Sequence, residues 1–160
     1  MNKGFSLMEV IISVAVITTA IVASISLISY SVSSIVSNQN KMIAIHLAQE
    51  GIEIVKNIRD TNWLLDKRGE LNWRDGLDEG NYRVQYNQVS LLSFSNTSLK
   101  INSNNIYQYS SGSRTPFYRR ISIVHISNEQ IKVVCEITWQ EKARNKSVQL
   151  ESRLYNWLIE

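Results

Sequence analysis

The chain has 160 residues, a formal net charge of +3 at pH 7 and one cysteine, Cys135. This length suits one small globular domain beside an apolar N-terminal segment, but not two such domains. Both signs of charge are mixed through the more polar part, so composition alone does not indicate a polyanion-binding surface. A single cysteine excludes an internal disulfide, and the fold must therefore be held by its core.

The N-terminal part of the chain is dominated by an apolar segment. Residues 10–40 contain no Asp, Glu, Lys or Arg, and the most apolar part, 10–28, is long enough to cross a bilayer as a helix. One carboxylate, Glu9, lies at the start of this segment. Because an acid costs roughly 2.5 to 3.5 kcal/mol at the bilayer centre, and less near the interface, it is usually retained for a function. The alternative is an acid that lies near the headgroups and is largely solvated.

The residues before this segment do not form an ordinary secretory signal. The basic start is only Lys3, the apolar stretch is longer than that of a signal peptide, and no small-x-small cleavage site follows it. A plain single-pass anchor is one interpretation. In it, Lys3 is cytoplasmic and the C-terminal domain lies outside, as the positive-inside tendency predicts.

The segment from Lys3 to about residue 28 resembles the class III signal of type IV pilin-like proteins, a family that includes pilins, minor pilins and type II secretion pseudopilins. The motif is a short basic leader, Gly4 before the scissile bond, Phe5 as first mature residue and Glu9 as the fifth. The resemblance implies that a prepilin peptidase cuts between Gly4 and Phe5 and methylates the new amino group of Phe5. It also implies other pilin or pseudopilin subunits and an inner-membrane assembly platform as partners.

Cleavage would explain why an acid is retained in an apolar helix. The α-ammonium of Phe5 would lie in or near hydrocarbon, and Glu9 follows it by one helical turn. Opposite charges about 4 Å apart attract by about 4 kcal/mol at an effective dielectric of 20, enough to set the register of apolar helices that pack side by side. The pair can form within one subunit or between neighbours, and the family favours neighbours. Phe5 and Glu9 are therefore the predicted assembly residues.

Four segments are predicted along the chain: a leader peptide (1–4), a transmembrane and assembly helix (5–28), an amphipathic continuation of that helix (29–60) and a globular β-rich domain (61–160). In the continuation, apolar positions recur at three- and four-residue spacing and form one face. They are Ala44, Leu47, Ala48, Gly51, Ile52, Val55 and Ile58. Residues 49–53 and 57–60 also resemble helix ends of minor pilin-like proteins. Many major pilins carry a proline in the mature helix where this chain has Ser26, which favours a minor subunit.

The domain after residue 60 begins with a connecting region that includes Trp63 and Trp73, and strands follow. Short strands are expected over 82–86, 98–102 and 105–109, and stronger β patterns cover 119–126, 131–140 and 147–155. Alternation along 131–140 places Cys135 with apolar residues, which predicts a buried side chain and not a reactive thiol. An antiparallel sheet with one apolar face needs a cover, which the amphipathic helix supplies. The prediction is an α+β class, and the resemblance implies a pilin-like fold in which the long N-terminal helix packs on a C-terminal antiparallel sheet.

None of the catalytic motifs considered occurs in this chain. No GxSxG, HExxH, P-loop or CxxC pattern occurs, and His46 and His125 have no spaced companion. The acidic loop 75–80 is the best calcium candidate, but it fails the EF-hand spacing. The sequence therefore predicts no enzyme, no cofactor and no metal site.

Two groups of basic residues are candidates for binding nucleic acid. Lys142, Arg144 and Lys146 in a turn, together with Arg114, Arg119 and Arg120 near Tyr118, could contact DNA phosphates. A charged strand edge and a solvated turn that discourage edge-to-edge pairing explain them equally well. The leading prediction is a minor filament subunit in the bacterial cytoplasmic membrane, with its N-terminus cytoplasmic, that then enters a filament or reaches the cell surface. The alternatives are a pilus-borne module for DNA uptake or adhesion, and an anchored domain that forms no filament.

Overall fold

The computed structural model of the chain describes residues 4, 6–66 and 72–157. Within them lie one helix and seven strands. In chain order these are α1 (Leu7–Asp66), β1 (Gly80–Arg83), β2 (Leu92–Ser93), β3 (Ser98–Ile101), β4 (Tyr107–Gln108), β5 (Ser113–Ser127), β6 (Gln130–Glu141) and β7 (Arg144–Tyr155). The chain divides into two units, residues 1–40 and 41–160. The predicted α+β class, with one long N-terminal helix before an antiparallel sheet, is confirmed.

The first unit consists of the apolar part of α1. None of its described side chains is buried, although many are large and apolar. Its most apolar stretch has a mean hydropathy of 2.5 and is long enough to cross a membrane. A core helix of a soluble protein can reach the same hydropathy, but its apolar residues are covered by protein, and here none of that stretch is buried. The unit is thus compatible with a membrane anchor.

The second unit is an antiparallel sheet covered on one face by the part of α1 that begins at Lys41. Strand β5 is central: β6 pairs along one side of it with β7 beyond, while β1 and β3 share the other side. Strands β2 and β4 pair with β1 and β3, respectively. The strands expected over 98–102 and 105–109 are present as β3 and β4, which pair with each other.

The core of the second unit lies between helix and sheet. All seven helix positions that the periodicity assigns to one face are buried. Alternate residues of β5 and β6 meet them, among them Ile121, Ile123, Ile131, Val133 and Ile137. Cys135 is fully buried in the same layer, as predicted, and this burial raises the pKa of its thiol to about 12.

Helix α1 extends past the end predicted at residue 60. Trp63, expected in a connecting loop, lies inside the helix and is only 4% exposed. Its ring N–H donates to Asn156 Oδ1 at 3.2 Å, and the Trp157 ring packs edge-on against it at 5.0 Å between centroids. Residues near the other end of the chain therefore stabilise the last turns of the helix, which no local pattern reveals.

Strand β5 begins earlier than predicted and includes Pro116. The ladder between β5 and β6 reaches no further in this direction than Tyr118, and the pairing with β3 is irregular between Ser98 and Lys100. Because a proline lacks an N–H, it is tolerated in a strand at such an interruption. The strand expected over 82–86 also differs, since β1 ends at Arg83.

Candidate functional site

Glu9 lies in the first turn of α1. Ser6 immediately precedes the helix, and its carbonyl accepts hydrogen bonds from the backbone N–H groups of Glu9 at 3.0 Å and Val10 at 3.2 Å. The first backbone N–H groups of a helix have no internal acceptor and carry a partial positive charge, which favours a carboxylate nearby. No ion pair within the described residues involves Glu9. Its carboxylate is exposed and can accept a cation from outside.

The spacing of Ser6 and Glu9 also matches a helix-capping pattern, which the resemblance alone does not indicate. A serine before the first helical residue and a glutamate three positions later form the capping-box pattern. This pattern is visible in the sequence itself. The pattern predicts a local capping role for Glu9 besides any role between subunits, and experiments on it must separate the two.

The predicted cleavage point precedes this turn. Gly4 is exposed and outside the helix, and a side chain at its position would meet no other atom within 4 Å. Gly4 is thus accessible from outside the chain. Phe5, the predicted first mature and methylated residue, lies outside the described residues.

All five hydroxyl side chains within residues 10–28 are satisfied internally. Ser13 donates to the carbonyl of Glu9 at 2.7 Å, and Ser24 donates to that of Ala20 at 2.8 Å. Thr18, Thr19 and Ser26 donate to carbonyls three or four residues earlier in the same way. Such bonds remove the cost of carrying a free hydroxyl into an apolar medium.

A polar contact at the helix–sheet interface gives a role to the segment 49–53. The side chain of Arg119 is completely buried and donates to Glu50 Oε1 at 3.1 Å, to the carbonyl of Leu47 at 3.0 Å and to that of Val84 at 2.7 Å. Next to Glu50, Gly51 faces Cys135 so closely that a Cβ at its position would lie 2.7 Å from the sulfur. The Glu-Gly pair thus docks the helix on the sheet.

The basic residues proposed for nucleic acid lie in different surroundings. Arg119 is wrong as a phosphate contact because it is buried against the helix. Arg120 is paired with Glu136 on the exposed face of the sheet, and Arg114 is exposed. The three residues Lys142, Arg144 and Lys146 are exposed in and beside the turn between β6 and β7. Arg119 and Arg120 are therefore already bound to carboxylates.

Both histidines, and the acids Asp75 and Glu79, have structural partners. His125 Nε2 lies 2.8 Å from the carbonyl of Leu77, and its backbone N–H donates to Glu79 Oε1 at the same distance. Asp75 Oδ2 accepts the backbone N–H of Asn72 at 2.7 Å. His46 contacts Gln49 on the exposed side of the helix. Among the described residues no three acids, histidines or cysteines gather as a metal site would require.

Comparison of the chain with models of protein families, with curated proteins and with solved structures finds no match in any of the three. The class of the protein therefore rests on the fold and the helix. It is an α+β protein whose N-terminal helix is long and apolar enough to span a membrane.

Proposed function

We propose that this chain is a structural subunit of a type IV pilus-like or type II secretion filament, a minor one. A prepilin peptidase cuts it between Gly4 and Phe5 and methylates the amino group of Phe5. The mature helix then packs with other pilin or pseudopilin subunits, which reach the filament through an assembly platform in the cytoplasmic membrane. Before assembly the N-terminus is cytoplasmic and the second unit is extracytoplasmic.

One observation carries this proposal: Glu9 is an exposed carboxylate at the head of a helix that is uncharged over residues 10–40. Capping alone would be served by an uncharged Gln at the same position. A carboxylate is needed where a cation must be neutralised in an apolar medium. The proposed cleavage creates such a cation, the α-ammonium group of Phe5. The internally bonded hydroxyls and the uncovered apolar side chains suit a helix that lies first in lipid and then among other helices.

The first experiment tests processing. Intact-mass spectrometry of the chain, expressed in cells with an active prepilin peptidase, should find a mature N-terminus at Phe5 carrying one methyl group. Gly4→Ala is the matched variant, because the space around Gly4 accepts a methyl group. Any loss of cleavage in this variant therefore reflects recognition by the peptidase and not a steric clash within the chain. A chain that keeps Met1 in such cells would remove the proposal.

The second experiment separates charge from capping at Glu9. Glu9→Gln keeps an acceptor and the capping spacing but loses the charge, and it should be cut normally yet fail to enter filaments. Ser13→Ala, one turn further along the exposed helix, is the control and should assemble. If Glu9→Gln enters filaments as readily as the wild type, the charge of Glu9 does not set assembly, and if the wild type itself enters no filament, the chain is an anchored domain.

A further inference from the structure

We propose that the face of the sheet opposite α1 carries a binding groove for an uncharged oligosaccharide. The groove, called here the outer groove, lies over β5, β6 and β7 and is bordered by the loop 94–97. All of its residues belong to the second unit. This site is independent of the proposed function, which rests on the N-terminal helix alone.

Strand register builds the floor of the outer groove from three cross-strand rows. Because side chains alternate along a strand, those opposite the buried residues of β5 and β6 point away from the helix. Gln140 pairs with Asn145 in the first row. The second row joins Tyr118, Thr138 and Ser147, and the third joins Arg120, Glu136 and Gln149. Rows of this kind fix the spacing of their side chains.

Two adjoining depressions make up the groove. Their volumes are about 270 and 460 Å³, and they share the lining residues Asn96, Tyr118, Glu136 and Thr138. Pockets of about 300 to 1,000 Å³ are typical for ligands of small-molecule size. The two depressions together therefore suit a ligand of more than one ring that lies along the sheet.

The polar groups of the groove match hydroxyl groups. Amides and hydroxyls can both donate and accept, as can each hydroxyl of a sugar. Within the described part of the chain, the side chains of Asn96, Thr138, Gln140, Asn145 and Ser147 have no hydrogen-bond partner, and all five have some solvent exposure. Their capacity is free for a ligand.

Charge in the groove is neutralised, which argues against an anionic ligand. Glu136 Oε1 accepts from Gln149 Nε2 at 2.8 Å, and its other oxygen is bound by Arg120. Lys146 borders the groove, but it pairs with Trp139, a core residue, so strand alternation directs its side chain to the opposite side of the sheet. A phosphate group would need free cations, and the floor offers none among the described residues.

Aromatic rings supply the apolar contact that a sugar needs. Tyr118, which both depressions share, is 38% exposed at the centre of the floor, and Phe94 is 40% exposed in the wall. The C–H face of a pyranose packs on such rings while its hydroxyls reach the amides around them. The wall is held in place, since Thr97 N–H donates to the carbonyl of Ser95 at 2.8 Å and their hydroxyls lie 3.0 Å apart. A preformed groove loses little entropy on binding.

The test uses the full chain in phosphocholine nanodiscs, free of sugar-headed detergents, on an array of neutral oligosaccharides built from hexoses and N-acetylhexosamines. We expect binding to part of the array, unaffected by added salt because no phosphate contact is involved. Tyr118→Ala should weaken it about tenfold by removing the stacking ring. Tyr155→Ala, at the far end of the same face and similarly exposed, is the control and should bind as wild type.

A second pair of variants guards against misfolding. Ser147→Arg places a long side chain in the groove from an exposed position and should abolish binding, whereas Val124→Arg adds the same charge outside the groove and should leave it intact. The proposal is overturned if the wild type binds no neutral oligosaccharide, or if Ser147→Arg binds as well as Val124→Arg. Salt-sensitive binding of duplex DNA that is lost on reversing Lys142, Arg144 and Lys146, with no neutral glycan bound, would instead favour nucleic acid.

Discussion

Replacing Gly51 by alanine tests how closely α1 approaches the sheet. The added Cβ would lie 2.7 Å from the Cys135 sulfur, 3.0 Å from Ile121 Cδ1 and 3.3 Å from Arg119 Cδ. The sulfur is on a fully buried side chain in the middle of β6, so it cannot swing into solvent. To relieve the clash, α1 must move away from the sheet or the backbone of β6 must shift.

Two opposing effects decide the size of the change. Overpacking a core costs about 1 to 3 kcal/mol, and an alanine in place of a helical glycine returns about 0.8 to 1 kcal/mol. We expect a net loss of about 1 kcal/mol in the free energy of unfolding. Cys135→Ala removes the sulfur that the new methyl would meet, so the double variant should be more stable than the sum of the two single effects by about 1 to 2 kcal/mol.

Urea unfolding of the full chain in nanodiscs, followed by tryptophan fluorescence, measures all four free energies of this double-mutant cycle. Trp63 and Trp139 are buried in the second unit and report on its unfolding. If Gly51→Ala raises stability by its full helix propensity and shows no coupling to Cys135→Ala, the close approach between helix and sheet is refuted.

Three further perturbations follow from the second unit. Glu50→Gln should lower the free energy of unfolding by about 1 to 3 kcal/mol, because it deprives the buried guanidinium of Arg119 of its carboxylate partner. Glu53→Gln, in an exposed ion pair, is the control and should cost less than about 1 kcal/mol when both are measured by urea unfolding. Lys142→Asn with Ala143→Gly should stabilise the protein by about 1 kcal/mol, visible as a higher melting temperature, since these residues have φ of 47° and 61°. The Cys135 thiol should resist iodoacetamide at pH 8 until urea is added. Burial raises the pKa of this thiol to about 12, so the stability that the protonated thiol contributes is fully present below the pKa of an unfolded thiol and is lost as the pH rises towards about 12. A free energy of unfolding that stays constant over this alkaline range would contradict the burial.

Much of the architecture follows from patterns of period 3.6 and period 2. The buried helix face from Ala44 to Ile58 and the strand around Cys135 are confirmed because their residues contact the core directly, and such contact leaves a periodic trace in the sequence. Contacts of long sequence separation leave no such trace. The helix end at Asp66 depends on Trp157, and the place of Arg119 depends on Glu50, which explains why the first was predicted too early and the second was taken for a surface residue.

The N-terminal signal stands apart, because the features that support it lie in consecutive residues. The basic leader, Gly4, Glu9 and the uncharged run can all be found without a fold, and the prediction of a processed assembly helix comes from them. The outer groove could not be found in this way. Its floor joins Tyr118, Thr138 and Ser147 through strand register, and its wall comes from the loop 94–97. The sequence by itself thus determined the membrane-compatible helix and the α+β class, since both depend on local periodicity and composition. Only the tertiary structure decided which polar side chains are buried, which are paired and which remain free together on one face, because pairing distant segments is what places them side by side.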